Sequence, residues 1–274
     1  MNYLVSIIIP THNRATLLKE TLTTILNQTY TNFEVIVISD ASSDNTEEIV
    51  TNFKDPRIQF HHLSDNLKYP SKVRNWGVKK AKGEFIAFCD DDDLWYQNKL
   101  KIQVNEFIKN PKLNMVSSRA QLIPGYKRIL GHIHFKDILL SYQNLLEDNT
   151  IITSSVVIRK EIFDTLQGFD ENQKLHIGED WDLWLRVLRL NSGSVKLLKN
   201  CLVMYRVGNL KITNTYLTLQ ELESRYKYLY NKHLPESKEL LEKFNAEDIF
   251  KYSPLSSPTK FKKDQIAQSV YLKE

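Results

Sequence analysis

Two groups of acidic residues in this sequence have types and spacings that suit catalysis. Asp90–Asp93 are four consecutive aspartates that directly follow the apolar run 85–89. Glu179 and Asp180 form the second group, at the start of a segment whose apolar residues recur at helical spacing. Adjacent carboxylates attract a hard divalent cation such as Mg²⁺ or Mn²⁺, and a single carboxylate can remove a proton from a hydroxyl group. The alternative for Asp90–Asp93 is a solvated acidic face. The alternative for Glu179 and Asp180 is a place in the first turn of a helix, where acidic residues are favoured.

A further carboxylate, Asp40, ends another apolar run, 33–38. Ser43 or Asp44 is placed to cap the helix that follows, but Asp40 stands too early for that role. Asp40 is therefore a candidate to accept hydrogen bonds from a nucleobase or a ribose. Residues 10–14 (Pro-Thr-His-Asn-Arg) follow the first apolar run in the same way. Because ligands of open α/β sheets bind at the carboxyl ends of the strands, these strand ends predict one shared site.

Motifs that would indicate other chemistry are missing from the sequence. It has no Gly-x-x-x-x-Gly-Lys-Ser/Thr loop, and no Gly-x-Gly-x-x-Gly loop follows the first apolar run. A bound nucleotide would therefore be held through its base, its sugar and a metal. No Cys–His spacing suits zinc, and His61-His62 is expected to lie in a strand. Cys89 and Cys201 cannot form a disulfide framework, which favours a reducing, cytoplasmic compartment.

The elements that must position these residues alternate between buried strands and amphipathic helices. Short apolar, β-branched runs predict the strands, and apolar residues at helical spacing predict the helices. The predicted strands cover residues 4–9, 33–38, 57–61, 85–89, 113–118 and 154–158. The predicted helices cover residues 15–28 with Asn13 as the cap, 46–53, 71–81, 98–109 and 180–190. This order predicts an α/β fold, with a mostly parallel sheet covered by helices on both faces and a mostly helical C-terminal extension.

Charge and hydropathy limit the class of protein further. The 274 residues carry 37 Lys and Arg against 33 Asp and Glu, and a net charge of +4 is too small to argue for nucleic-acid binding. Residues 199–274 hold the whole excess, with 13 basic and nine acidic residues. No apolar run is long enough to cross a membrane, and we read no signal peptide. The segment 251–274 combines basic and apolar residues, so a solvated terminus and a peripheral contact with an anionic membrane both stay open.

Four ordered segments of the chain resemble the family 2 glycosyltransferases, which have the Rossmann-like GT-A fold. Residues 5–14 resemble the opening strand and loop of that family, and residues 33–44 resemble its second strand with a nucleotide-binding aspartate. Residues 73–95 resemble the stretch that holds its metal-binding Asp-x-Asp motif. Residues 178–186 (Gly-Glu-Asp-Trp-Asp-Leu-Trp-Leu-Arg) resemble the segment that carries its catalytic base.

The resemblance implies transfer of a sugar, with inversion, from a nucleotide-diphosphate donor to an acceptor hydroxyl. UDP is the default nucleotide, the acceptor is a saccharide or a lipid-linked saccharide, and bacterial-type surface polysaccharide or glycoconjugate synthesis is the expected setting. Asp180 is implied as the base with Glu179 as the alternative, and Asp92 with Asp90 as ligands of Mn²⁺ or Mg²⁺. The residues implied to contact the nucleotide are Pro10, Thr11, His12, Arg14, Asp40, Arg74, Asp90 and Asp91. For Arg74, a structural ion pair is equally open.

The sequence departs from the family pattern at three places. Ala41 and Lys68 stand where the family often has glycine. Val207 follows Tyr205-Arg206, where the family often has a histidine that can reach the metal or the phosphates. A third protein contribution to the metal site is therefore left open.

The expected organisation is a catalytic domain over residues 1–205 and a helical extension over residues 206–274. The domain would consist of a nucleotide-binding half, about 1–95, and an acceptor-binding half, about 96–205. The expected location is the cytoplasm, with the inner face of the membrane as an option. Two other functions stay open: a nucleotidyltransferase, which normally needs a basic or glycine-rich triphosphate loop, and a nucleotide- or carbohydrate-binding module without turnover.

Overall fold

A computed structural model describes residues 2–123, 129–130, 136–147, 149–175, 178–206, 224, 227–229 and 231–233. The strands are β1 (Val5–Thr11), β2 (Phe33–Ser39), β3 (Ile58–His62), β4 (Phe85–Phe88), β5 (Leu94–Trp95), β6 (Met115–Ile123), β7 (Ile129–Leu130), β8 (Ile138–Leu139), β9 (Val157–Arg159) and β10 (Val195–Arg206). The helices are α1 (Ala15–Leu26), α2 (Thr46–Asn52), α3 (Pro70–Val78), α4 (Lys99–Lys109), α5 (Tyr142–Glu147), α6 (Lys160–Thr165) and α7 (Glu179–Leu190). Two single 3₁₀ turns cover Thr153–Ser155 and Gln173–Leu175.

The strands form one mixed sheet in the order β3-β2-β1-β4-β9-β6-β10-β5. The first four strands run parallel, as predicted from the alternation of strands and helices. β9 runs antiparallel between β4 and β6, and β6 is parallel to β10. The carboxyl ends of β1, β2, β4 and β6 therefore lie at the same edge of the sheet, and the predicted α/β fold is confirmed.

Two apolar clusters, one on each face of the sheet, hold the helices in place. On one face, Met115 of β6 packs in a cluster with Trp181 and Trp184 of α7. On the other face, Val116 of the same strand packs in a cluster with α1 and α4. Successive residues of a strand point to opposite faces, which explains this division. Trp181 and Trp184 are both buried in this core.

The predicted elements differ from the structure in several details. β10 was not predicted from the sequence, because polar Lys199 and Asn200 interrupt its apolar pattern at a register shift between β10 and β6. The predicted strand 154–158 is a 3₁₀ turn followed by the shorter β9. Asn13 does not cap α1: its backbone is left-handed, with φ 52°, and its Oδ1 accepts a hydrogen bond from the Ser43 amide.

Only a small part of the predicted C-terminal extension lies within the described residues. Residues 227–229 and 231–233 are helical, in agreement with the prediction for this region. Most of the predicted helical extension, 206–274, including the basic segment 251–274, lies outside the described residues. Among the helices that the structure describes, none is both long and apolar enough to span a bilayer.

Candidate functional site

The ends of β1 and β2 form the first part of the candidate site. Asp40 is buried directly after β2, and its Oδ1 accepts a hydrogen bond of 2.7 Å from the Leu67 amide. His12 Nδ1 donates to the Asp40 carbonyl over 2.6 Å, which fixes the imidazole beside β2. Thr11 is buried at the end of β1, and Pro10 is half-buried. The structure thus brings the nucleotide-contact candidates of both strands together.

The loops that follow β1, β2 and β3 contain three non-glycine residues with left-handed backbone. Asn13, Ala41 and Lys68 have φ values of 52°, 53° and 66°. Such conformations cost about 1–2 kcal/mol for residues with a β-carbon, with asparagine the most tolerant. The family often has glycine at the positions of Ala41 and Lys68, and the backbone there has the conformation that glycine adopts most easily. Both departures noted from the sequence therefore fall where the chain is strained.

The four consecutive aspartates lie at the end of β4, between two arginines. Arg14 Nη1 donates to Asp91 Oδ1 over 3.2 Å and to Asp92 Oδ2 over 2.9 Å. Arg74 Nη2 donates to Asp90 Oδ1 over 2.6 Å. The side chains of Asp90 and Asp92 are 25% and 14% exposed, whereas Asp91 is buried. Asp90 and Asp92 are therefore the carboxylates of this group that a ligand can reach.

Backbone contacts hold the aspartate loop against its surroundings. Thr21 Oγ1 on α1 lies 2.9 Å from the carbonyls of both Asp91 and Asp93. Arg206, at the end of β10, donates from Nε to the Asp92 carbonyl and from its amide to Asp93 Oδ1. These contacts join α1 and β10 to the loop that follows β4. The roles of Thr21 and Arg206 were missed from the sequence, since the partners are at least 70 residues apart.

Burial and mutual repulsion make these carboxylates hard to ionise. Burial raises the pKa of Asp91 to about 7, although the Arg14 charge opposes the rise. Burial and the charge of Asp90 raise the pKa of Asp92 to about 6. For Asp93, burial and the charges of Asp90 and Asp92 raise the pKa well above its usual value. A positive ligand at this loop would therefore favour the ionised form of these carboxylates, because a nearby opposite charge lowers the pKa of a carboxyl group.

The donor chemistry of the loop fits a divalent cation that keeps most of its shell for phosphates and water. Among the described residues, no group of three His, Cys, Asp or Glu side chains is arranged to hold a metal. Mg²⁺ commonly takes only one or two protein carboxylates and completes its octahedron with substrate phosphates and water. Asp90 and Asp92 match that smaller requirement, because each arginine engages one oxygen atom of its carboxylate.

Glu179 and Asp180 open α7 beside the aspartate loop, and Arg74 joins the two groups. Arg74 Nη1 donates to Glu179 Oε1 over 2.9 Å while its Nη2 holds Asp90. Arg74 is buried, and the charges of Asp90 and Glu179 raise its pKa although burial opposes the rise. Arg74 therefore forms the structural ion pair that the sequence left open, and this pair joins the two carboxylate groups.

Asp180 has a different environment from Glu179. Its Oδ2 accepts a hydrogen bond of 2.8 Å from Thr153 Oγ1, and its Oδ1 accepts one of 2.6 Å from the Trp181 amide. Burial and the adjacent charge of Glu179 raise the pKa of Asp180 to about 6. A general base works best when its pKa is near the working pH, so this carboxylate suits proton removal better than the ion-paired Glu179.

Behind Asp180, α7 is fixed by the described part of the C-terminal extension. Asp182 is completely buried and accepts hydrogen bonds from His233 Nε2 over 2.9 Å and from Arg186 Nε over 2.8 Å. Lys232 Nζ lies 2.8 Å from Asp182 Oδ1. Burial alone would raise the pKa of Asp182, but the bond from His233 and the charges of Arg186 and Lys232 lower it to about 2. This cluster anchors the helix that carries Glu179 and Asp180.

Comparison with solved structures identifies the fold. The solved structure of residues 1–349 of Staphylococcus aureus TarS in complex with UDP-GlcNAc superposes with a TM-score of 0.73 at 20% identity, covering 96% of this chain and 78% of that one. The mannosyltransferase PcManGT from Pyrobaculum calidifontis, in complex with GDP-Man and Mn²⁺, superposes with a TM-score of 0.59 at 18% identity, covering 89% and 69%. The fold is therefore GT-A.

Sequence comparison identifies the family. The family model described as glycosyl transferase family 2 matches residues 6–166. The Escherichia coli enzyme WfgD, a UDP-Glc:alpha-D-GlcNAc-diphosphoundecaprenol beta-1,3-glucosyltransferase, is 33% identical over 191 residues, which cover 70% of this chain and 72% of that protein. An uncharacterized glycosyltransferase of Rickettsia bellii is 34% identical over 194 residues, but these span only 26% of its length. The chain belongs to glycosyl transferase family 2 and is a glycosyltransferase.

Proposed function

We propose that this enzyme transfers a sugar from a UDP-activated donor to a hydroxyl group of a saccharide acceptor, with inversion at the anomeric carbon. The observation that carries the proposal is the Arg74 bridge between Asp90 and Glu179. This bridge joins the aspartate loop, which suits a nucleoside diphosphate, to the start of α7, which suits a proton acceptor. A pure binding module would need no such base.

Each proposed role follows from the environment of the residue. Asp40 accepts hydrogen bonds from the nucleobase, with Pro10, Thr11 and His12 around it. Arg14, Arg74 and Asp91 set the position and charge of the loop beside the donor. Asp92 and Asp90 hold Mn²⁺ or Mg²⁺, which when bound supplies positive charge that stabilises the diphosphate leaving group. The GDP-Man and Mn²⁺ complex of the similar archaeal mannosyltransferase supports this use of a metal.

The chemistry at the acceptor requires one proton acceptor. The acceptor oxygen forms a bond to the anomeric carbon on the side opposite the nucleotide, the bond from that carbon to the diphosphate oxygen breaks, and the hydroxyl proton moves to Asp180. Thr153 holds one oxygen of Asp180 through its hydroxyl, which orients the carboxylate. General-base catalysis of this kind contributes about 10²–10⁴-fold in rate.

The names of the similar proteins support the donor and the setting. TarS was solved with UDP-GlcNAc and with UDP, and WfgD is named for UDP-Glc and a diphosphoundecaprenol-linked acceptor. We therefore propose UDP-GlcNAc and UDP-Glc as the first donors to test, and a lipid-linked saccharide of a surface polysaccharide as the acceptor. Residues 1–205 form the proposed catalytic domain, in a cytoplasmic enzyme.

The test is a calorimetric screen of nucleotide sugars with and without Mn²⁺, followed by product analysis. We expect a UDP-sugar to bind more tightly with Mn²⁺, and we expect transfer to release UDP with an inverted anomeric configuration by NMR. Release of pyrophosphate in a parallel assay with a nucleoside triphosphate and a sugar phosphate would instead identify a nucleotidyltransferase. Binding without any release of UDP would identify a module without turnover.

A further inference from the structure

Arg119 on β6 has a hydrogen-bonding capacity that its surroundings do not use. Its side chain is 7% exposed. Within the part of the chain that the structure describes, its Nε and Nη2 atoms are buried and have no hydrogen-bond acceptor. The hydroxyl of Ser117, two residues earlier on the same strand, is also buried without a partner. Since buried polar groups are nearly always paired, an unpaired guanidinium edge needs an explanation.

The two unpaired atoms are the pair best suited to one kind of ligand. The N–H groups of Nε and Nη2 lie on one edge of the guanidinium and point in parallel directions. That edge matches the two oxygens of a carboxylate or two oxygens of a phosphate. A single water molecule or a single hydroxyl group would satisfy the edge less completely. The geometry of Arg119 therefore favours an oxyanion over a neutral group.

Strand register places Arg119 at the edge of the sheet that carries the candidate site. Ala87 of β4 and Val116 of β6 both pair with Val157 of β9, so they lie in one row across the sheet. Asp90 lies three residues after Ala87, and Arg119 lies three residues after Val116, in the same chain direction. With about 4.8 Å between neighbouring strands, their backbones are separated by about 10 Å. Arg119 is therefore level with the aspartate loop.

The alternation of side chains along β6 also places Arg119 on the face of the sheet that α7 covers. Met115 packs with Trp181 and Trp184 of α7, whereas Val116 and Ala120 pack on the opposite face. Arg119, four residues after Met115, projects from the same face as Met115. The Cys201 thiol on β10 is its neighbour: burial raises the pKa of that thiol, and the charge of Arg119 opposes the rise. Arg119 thus lies at the sheet edge that carries the candidate site and on the sheet face that α7, which begins at Glu179, covers.

We propose that Arg119 is an acceptor-binding residue whose Nε–Nη2 edge takes an oxyanion, a carboxylate or a phosphate, of the acceptor saccharide. The proposal rests on the proposed function in one respect, which is that the acceptor hydroxyl lies at Asp180. The acceptor is then an anionic saccharide, either a uronic acid or a sugar phosphate. Arg119 orients it by a charge-assisted, two-point contact while Asp180 removes the proton.

The test measures binding of three probes that share one sugar ring. Methyl glucoside is neutral, methyl glucuronide carries a carboxylate, and glucose 1-phosphate carries a phosphate. Each probe is titrated by calorimetry into the wild-type chain and into Arg119→Met, with UDP present to fill the nucleotide pocket. We expect one charged probe to bind the wild type more tightly than methyl glucoside, and to lose about 10- to 100-fold in affinity in Arg119→Met. The probe that responds distinguishes a carboxylate from a phosphate.

Two further variants separate ligand binding from folding. Arg119→Lys keeps the charge but cannot make two parallel contacts, so its affinity should fall between those of the wild type and Arg119→Met. Arg57→Met removes a guanidinium that pairs with Asp55, away from β6, and should leave binding unchanged. Without ligand, Arg119→Met should melt no lower than the wild type, because it removes a buried unpaired charge.

Two results would overturn the role of Arg119. In one, neither charged probe binds the wild type better than methyl glucoside. In the other, Arg119→Met retains the preference for a charged probe. Release of UDP from UDP-sugars is measured separately on the same preparations. A wild type that releases UDP but shows no charge preference refutes only the Arg119 proposal, whereas a chain that never releases UDP refutes the proposed function.

Discussion

Protonating Asp182 should weaken the protein by an amount that the structure allows us to calculate. The Asp182 carboxylate is completely buried and is contacted by His233, Lys232 and Arg186. These partners lower its pKa from 3.8 to about 2, despite burial. One pKa unit corresponds to about 1.4 kcal/mol, so the ionised form contributes about 2 kcal/mol to the free energy of unfolding at pH 5–7.

The sign of the pH dependence follows from the lowered pKa. Above the unfolded-state value the contribution is complete, and it is lost as the pH falls through the folded-state value. At pH 3 about 1 kcal/mol should remain. Asp182→Asn imitates the permanently protonated side chain. The difference in unfolding free energy between wild type and variant should therefore be about 2 kcal/mol at pH 7 and about half of that at pH 3.

Urea unfolding at several pH values, followed by circular dichroism, measures this difference. Asp164→Asn is the matched control, because Asp164 is 52% exposed and pairs with Lys160 one helical turn away. Exposed pairs of this kind contribute at most about 0.5 kcal/mol. A loss in Asp182→Asn that is the same at pH 7 and pH 3, or no larger than that of the control, would refute the electrostatic account of this anchor.

Three other predictions test the site and its loops. Because burial and Glu179 raise the pKa of Asp180 to about 6, kcat/KM for transfer should fall about tenfold per pH unit below pH 6; a flat pH profile from 5 to 7 would contradict this. Lys68→Gly should raise the unfolding free energy by about 1 kcal/mol, because it relieves a left-handed backbone with φ 66°; a loss of stability in urea unfolding would count against it. Gly83→Ala should lower the melting temperature at a cost of about 1–3 kcal/mol, because its β-carbon would lie 2.6 Å from the Leu4 carbonyl and 2.7 Å from the Ser6 amide; an unchanged melting temperature would show that the backbone adjusts freely.

Residue type and local order were enough to predict the parts of the site that come from strand ends. Asp40 and the aspartates after β4 each follow a buried apolar run. Because the carboxyl ends of parallel strands lie at one edge of the sheet, the sequence was enough to predict that these residues lie together. The same rule could not reveal that Arg74 bridges Asp90 and Glu179, because Glu179 lies 105 residues further along the chain. That bridge depends on how α3 and α7 pack, which no local pattern encodes.

The missed features depend on tertiary packing in the same way. β10 carries polar residues at a register shift, so its pattern does not match a buried strand, yet it supplies Arg206 to the aspartate loop. His233 and Lys232 lie beyond the segment that resembles the family, and only the folded chain brings them to Asp182. The roles proposed for the catalytic and metal-binding residues stay predictions.

The central claim is that Asp180 is the base of a sugar transfer, and one comparison tests it most directly. Transfer from the best UDP-sugar is measured for wild type, Asp180→Asn and Glu179→Gln, together with the affinity of each for UDP. We predict that Asp180→Asn binds UDP as the wild type does but loses about 10²-fold or more in transfer rate. Full transfer activity in Asp180→Asn, or a larger loss in Glu179→Gln with UDP binding intact, would contradict the assignment.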